Sequence, residues 1–204
     1  FLLLQLTLAQ RRLMHRQRQA PALSTSLDGE RLTAFRELLP FRFTDAQERV
    51  LKEVCADMAE PKPMARLVQG DVGSGKTVVA ISALLVAIDS GLQGALMAPT
   101  EVLAQQHYAK LCEWMPLLHV NVGLLTGSTS APRRRSLLQD LANGQLHLLV
   151  GTHALLEDPV DFSQLGLVVV DEQHRFGVAQ RNRLLNKGLQ PHLLTMTATP
   201  IPRT

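Results

Sequence analysis

From residue 66 onward, apolar residues come in short unbroken runs separated by stretches with helical spacing. The runs predict strands over 66–69, 94–98, 120–125, 146–150, 165–170 and 192–196. They are apolar almost throughout, where a strand with one wet face would alternate. The pattern therefore predicts a parallel sheet covered on both faces, with 66–69 a short buried strand. The intervening stretches predict helices over 78–88, 100–113, 132–143 and 178–187, the third ending at Gly144. Strands alternating with helices in this way give a doubly wound α/β fold.

Ahead of this alternation the chain is helical. A helix is predicted over 1–19, with Leu2, Leu6, Ala9 and Leu13 on one face and Leu4 and Leu8 beside it. Its second half carries Arg11, Arg12, Arg16 and Arg18. It is read as an amphipathic packing helix in preference to a DNA-facing one. Pro21 ends it, and 22–28 has the composition of a linker. A second helix is expected over 30–39, stopped by Pro40. A third, capped by Thr44 or Asp45, runs to Ala59 and is closed by Pro61 and Pro63. The expected division is a helical extension over 1–39 and one α/β domain over 40–204.

Composition narrows the class without choosing a function. At 204 residues and 46% hydrophobic content, the chain can bury a full core. A net charge of +3 permits a nucleic-acid partner but does not by itself demand one. The apolar start, 1–9, is too short to span a bilayer, and its basic residues follow the apolar run in the wrong order for a secretory signal. Cys55 and Cys112 form no ligand cluster and are expected to be buried reduced thiols of a cytoplasmic protein. The chain starts at Phe1 and stops at Thr204 inside an apparent motif, so it is read as part of a longer protein.

The chemistry concentrates in Gly70-Asp71-Val72-Gly73-Ser74-Gly75-Lys76-Thr77, which matches the phosphate-binding loop G-x-x-x-x-G-K-[ST]. A triphosphate crowds negative charge together, and backbone N–H groups reach it only where no Cβ intervenes. Gly70, Gly73 and Gly75 supply that space, and the following helix adds partial positive charge at its N-terminus. Lys76 can reach the β- and γ-phosphates, and the Thr77 hydroxyl can ligate Mg²⁺. The 165–170 strand ends in Asp171-Glu172. Ligands in doubly wound sheets sit outside the carboxyl ends of strands. Asp171 is thus placed to hold Mg²⁺, directly or through water, and Glu172 to orient or deprotonate an attacking water.

Several of these residues carry a resemblance. Asp171-Glu172-Gln173-His174 is similar to the second motif of superfamily-two helicases, and Met196-Thr197-Ala198-Thr199-Pro200 to their third. The 41–47 segment resembles the adenine-reading segment of that superfamily. The forms GDVGSGKT at 70–77, Gly151-Thr152-His153-Ala154-Leu155, DEQHRFGVAQ at 171–180 and MTATPIPRT at 196–204 resemble the RecG family of bacterial branched-DNA helicases. The transcription-repair coupling translocases are a near relative. They tend to carry tyrosine where Ser74 stands and an acid where Gln173 stands.

The resemblance implies a RecA-like motor domain, the first of two, in an ATP-dependent DNA helicase that remodels forks and junctions with ATP and Mg²⁺. Gln47 would pair with adenine, Phe41 or Phe43 would stack on the base, and Thr197 and Thr199 would link the ATP and DNA sites. His174 is assigned to the nucleotide site as a coupling residue, not a metal ligand. Backbone contacts to branched double-stranded DNA fall at Pro99-Thr100-Glu101, Thr126-Gly127-Ser128 and Gly151-Thr152-His153. Small polar turns of this kind position a phosphate backbone without reading sequence. Arg133-Arg134-Arg135 opposes the dipole of its own helix start and is read as a solvated charge run ahead of a DNA contact. The family's later motifs, including the arginines from a second motor domain, and its wedge domain do not occur in this sequence. Turnover by this segment alone is therefore expected to be weak.

Overall fold

The computed structural model describes residues 23, 27–172, 177–188 and 190–198. The predicted helix over 1–19, most of the linker, Gln173, His174, Thr199 and the 199–204 end of the third motif lie outside the described residues.

Two helices, α1 (Glu30–Leu38) and α2 (Asp45–Met58), precede the sheet. Thr44 caps α2 with a full capping box. Its hydroxyl accepts from the Gln47 N–H at 3.3 Å, and the Gln47 side-chain oxygen accepts from the Thr44 N–H at 2.9 Å. Then follow β1 (Ala65–Gly70), α3 (Lys76–Asp89), β2 (Gln93–Met97), α4 (Glu101–Trp114), a 3₁₀ turn, β3 (Val122–Leu125), α5 (Ala131–Ala142), β4 (Leu148–Gly151), a second 3₁₀ turn, β5 (Leu165–Val170), α6 (Val178–Leu185) and β6 (His192–Ala198). The six strands form one sheet in the order β1-β6-β5-β2-β4-β3, and every pairing is parallel.

Strand periodicity divides the core in two. Leu96, Leu148, Val150, Leu167, Val169, Leu194 and Met196 face one way and pack with α1, α2, α3 and part of α4. Ala95, Met97, Leu149, Val168 and Val170 face the other way and pack with Leu141 of α5, Leu184 of α6 and the 154–162 connection. Both faces are apolar because both are covered, which is why these strands read as unbroken runs. Helix α3 is buried from Val78 to Ile88 on every side, between the sheet and the α1–α2 pair. Leu32 and Phe35 of α1 are fully buried in that same core, so the described part of the extension packs with the domain.

Two expectations are corrected. Strand β1 is not buried. Its residues alternate between exposed and half-buried, and Leu67 is 53% exposed. Among the described residues β1 pairs only with β6, so it is an edge strand with one open face. Arg66, on its other face, is held by Asp57 at 2.5 Å and Glu53 at 2.7 Å from α2. The cysteines also differ from each other. Cys55 is buried in α2 and its thiol is pushed up to about 11 by burial, partly offset by Arg36, whereas Cys112 lies exposed on α4.

Gln93 is the buried polar tie of the sheet. At 3% exposure its amide donates to the Leu141 and Leu146 carbonyls at 2.8 and 2.7 Å and accepts from the Gln164 N–H at 2.9 Å. It thus joins the starts of β2, β4 and β5 to the end of α5. Gln93→Leu removes three hydrogen bonds from a buried amide to the backbone and is expected to cost about 2–4 kcal/mol in a urea melt. A thiol titration is expected to find Cys112 reacting in the native protein and Cys55 only after unfolding.

Candidate nucleotide site and its nucleic-acid edge

The phosphate loop leaves β1 at Gly70 and enters α3 at Lys76. Gly75 is the helix cap, in a left-handed conformation with φ of 80° that only glycine takes readily. Space forbids a side chain there as well, since a Cβ would stand 2.2 Å from the Gln47 Nε2. At Gly70 the same atom would press on the Ser74 hydroxyl at 2.7 Å, whereas Gly73, with φ of 83°, needs glycine for its backbone angle alone. The Lys76 ammonium donates to the carbonyls of Gly70 and Asp71, both at 2.7 Å, so it lies folded over its own loop. Thr77, half-buried, sits in the first turn of α3, where backbone N–H groups lack helical acceptors.

Gln47 reaches this loop from α2. Its Nε2 donates to the Ser74 carbonyl at 3.0 Å while its oxygen completes the Thr44 capping box. One side chain therefore locks the α2 start against the loop. The two phenylalanines of the 41–47 segment are separated by their surroundings. Phe43 packs against the main core with the Arg36 guanidinium 5.3 Å from its ring centre, and Phe41 stands 47% exposed.

The acid pair leaves β5 two strands away. The Asp171 N–H donates to the Met97 carbonyl at 2.9 Å, so β5 and β2 end level. The Asp171 Oδ2 lies 2.8 Å from the Nε2 of His107, on α4, with the two side chains 18% and 13% exposed. An ionised carboxylate only accepts, so the ring nitrogen donates. No motif or spacing marks His107. Only the packing of α4 over the sheet brings it to Asp171, 64 residues away. Glu172 is half-buried with φ of 54°, a left-handed angle that costs a non-glycine residue about 1 kcal/mol. Between the two sites runs β6. Its Gln69↔Thr197 pairing sets Thr197 beside the root of the loop, and His174 lies outside the described residues.

A donor set of Thr77 and Asp171 suits Mg²⁺, which takes hard oxygen ligands and needs only one or two from protein beside phosphate and water. Among the described residues no three His, Cys, Asp or Glu side chains converge as a metal cage.

The three small turns occupy the other half of the edge, after β2, β4 and β3. Thr100 caps α4, its hydroxyl accepting from the Leu103 N–H at 3.3 Å. Glu101 in turn accepts from the Ser128 hydroxyl at 2.8 Å, which ties the first turn to the second. Thr126 is buried, its hydroxyl 2.9 Å from that of Ser128. Gly151 admits no side chain, because a Cβ would lie 2.2 Å from the Leu125 carbonyl. Its neighbour Thr152 is buried, and His153 is exposed. The arginine run divides. Arg134 is paired with Glu157, while Arg133 and Arg135 are exposed. Arg133 lines a cavity of about 340 Å³ with Gln105, Tyr108, Thr126 and Ser128.

Comparison with known proteins agrees with this fold. The chain is 59% identical over 204 residues to the ATP-dependent DNA helicase RecG of Synechocystis, covering 100% of this chain and 24% of the relative. It is 53% identical to that of Bacillus subtilis, again over 100% of this chain and 30% of the relative. The fold matches a structure of RecG bound to a three-way DNA junction, with a TM-score of 0.86 and 42% identity over 98% of this chain and 27% of that one. The chain thus spans 24–30% of the length of these proteins. Residues 44–204, from the Thr44 cap through the loop, the acid pair and the third motif, match the DEAD/DEAH box helicase family, and the chain belongs to that family.

Proposed function

We propose that this chain is the first motor domain of a RecG-type helicase, which binds ATP with Mg²⁺ and couples hydrolysis to remodelling branched DNA. One observation carries the reading. The phosphate loop and the acid pair open at the same edge of the sheet as three small polar turns, with β6 between the loop and the acids. Nucleotide and phosphodiester chemistry therefore share one rigid platform.

In this reading the α3 start and the loop N–H groups receive the phosphates. Lys76 exchanges its two carbonyl partners for phosphate oxygens. Thr77 and Asp171 would hold Mg²⁺, whose charge offsets that of the triphosphate. Glu172 orients the attacking water. The base stacks on Phe41, because Phe43 is already covered by Arg36 and the core. Gln47 fixes the loop beside it, and reading of the adenine edge requires its Nε2 to leave the Ser74 carbonyl. Thr197 and Thr199 would link ATP turnover to DNA, with His174 as a coupling residue. DNA meets the turns after β2, β4 and β3 through backbone N–H and hydroxyl donors, with Arg133 at their border.

The relatives' greater length leaves room for the second RecA-like domain and the wedge domain that this reading requires as partners. No helix among the described residues is long and apolar enough to cross a membrane, and the proposed place of action is the cytoplasm.

ATP turnover measured with and without forked DNA tests the assignment. Lys76→Ala is expected to abolish ATP binding. Glu172→Gln is expected to keep binding and lower turnover by about 10²–10⁴-fold. Turnover by Glu172→Gln equal to the native rate would sink the assignment of the water-directing residue. No response to forked DNA by the full-length protein would sink the motor reading. Phe41→Ala is expected to weaken ATP binding about tenfold with an unchanged melt, in keeping with the worth of one aromatic–base stack. Phe43→Ala is expected to lower the melting temperature first.

A further inference from the structure

We infer that His107 is a positioning residue for Asp171: its Nε2–H fixes the carboxylate in the orientation that presents the second oxygen, Oδ1, to the nucleotide-bound metal. The inference rests on the reading of Asp171 as a metal-holding residue and adds a residue that neither the loop motif nor the acid pair contains.

The geometry is specific. Asp171 stands just past the end of β5, where a carboxylate can turn about two side-chain torsions. Its main chain is tied by the N–H bond to the Met97 carbonyl at 2.9 Å. Its side chain is tied at Oδ2 by His107 at 2.8 Å. The main-chain bond fixes where the side chain starts, and the bond at Oδ2 restricts how the carboxylate turns, leaving Oδ1 as the oxygen not engaged by His107. At 13% and 18% exposure the pair is mostly shielded from water, where a charge-assisted hydrogen bond holds better than on an open surface. Outer partners of this kind orient the ligands of metal sites, and their removal typically weakens metal binding about 10–100-fold.

The placement of His107 matters as much as the bond. It lies on α4, whose cap is Thr100 and whose first turn carries Glu101 in contact with Ser128. The helix that begins in the proposed DNA-facing turns is therefore the helix that holds the metal-side acid. A shift of α4 along its axis moves the donor on Asp171.

The test is the affinity of the full-length protein for a fluorescent, non-hydrolysable ATP analogue, measured with Mg²⁺ and in EDTA. The ratio of the two affinities reads the metal's contribution. His107→Met and His107→Leu fill the half-buried space without a donor, while His107→Gln places an amide donor near the position of Nε2. The Met and Leu variants are expected to lower the ratio about tenfold, with the EDTA affinity unchanged. The Gln variant is expected to return it to within about threefold of native. Asp171→Asn, as reference, is expected to lower the ratio at least as far as the donor-less variants.

If Asp171→Asn lowers the ratio and the donor-less His107 variants do not, His107 has no positioning role and the inference fails alone. A fall in EDTA affinity equal to the fall with Mg²⁺, or a Gln variant no better than Met, marks a general structural role and overturns it equally. If Asp171→Asn leaves the ratio unchanged, the metal reading of Asp171 fails and takes the inference with it. Thermal melts of all four variants identify any that do not fold, and the comparison of Gln with Met stands without the Leu variant.

Discussion

Helix α3 has no polar face, and its burial constrains the rest of the molecule. Eleven consecutive residues, Val78 to Ile88, are covered by the sheet on one side and by α1 and α2 on the other. Covering apolar surface contributes roughly 25 cal/mol per Å², so a helix covered all round cannot slide or tilt without exposing some of it. Its N-terminus is thereby held still, and the phosphate loop is the chain that leads into that N-terminus. The Gln47 amide, bonded to the Ser74 carbonyl from the α2 cap, fixes the outer side of the same loop. A loop of exposed residues thus inherits the rigidity of a core helix.

The sheet order then allocates the chemistry. Strands β1 and β5 deliver the loop and the acid pair to one half of the carboxyl edge, and β2, β4 and β3 deliver the three small turns to the other. Each turn is constrained by contacts of its own. A backbone carbonyl abuts Gly151, a hydroxyl caps α4 at Thr100, and Ser128 donates to Glu101. Within the first half, β6 runs between the loop strand and the acid strand, with Thr197 near its end. The His107–Asp171 bond crosses to the other half, joining the helix of the first turn to the acid just past β5. Glu172 takes a left-handed angle immediately after the strand, as His119 and Gln190 do elsewhere.

The sequence by itself determined the parallel α/β architecture, because strands buried on both faces must be apolar throughout and their helices must show the 3.6-residue period. It also determined the phosphate loop and the acid pair, since both are local chemistry: glycine where a Cβ would clash, an ammonium and a hydroxyl at a helix start, carboxylates at a strand end. The sequence left the cap of α2 open between Thr44 and Asp45, and the structure gives it to Thr44 with Gln47 completing the box. Tertiary structure decided what depends on neighbours remote in the chain. It made β1 an edge strand despite its apolar residues, and it exposed Cys112 while burying Cys55. It set Arg36 over the Phe43 ring and left Phe41 exposed. It also brought His107 to Asp171 across 64 residues, an approach that carries no spacing rule because only the packing of one helix on the sheet creates it.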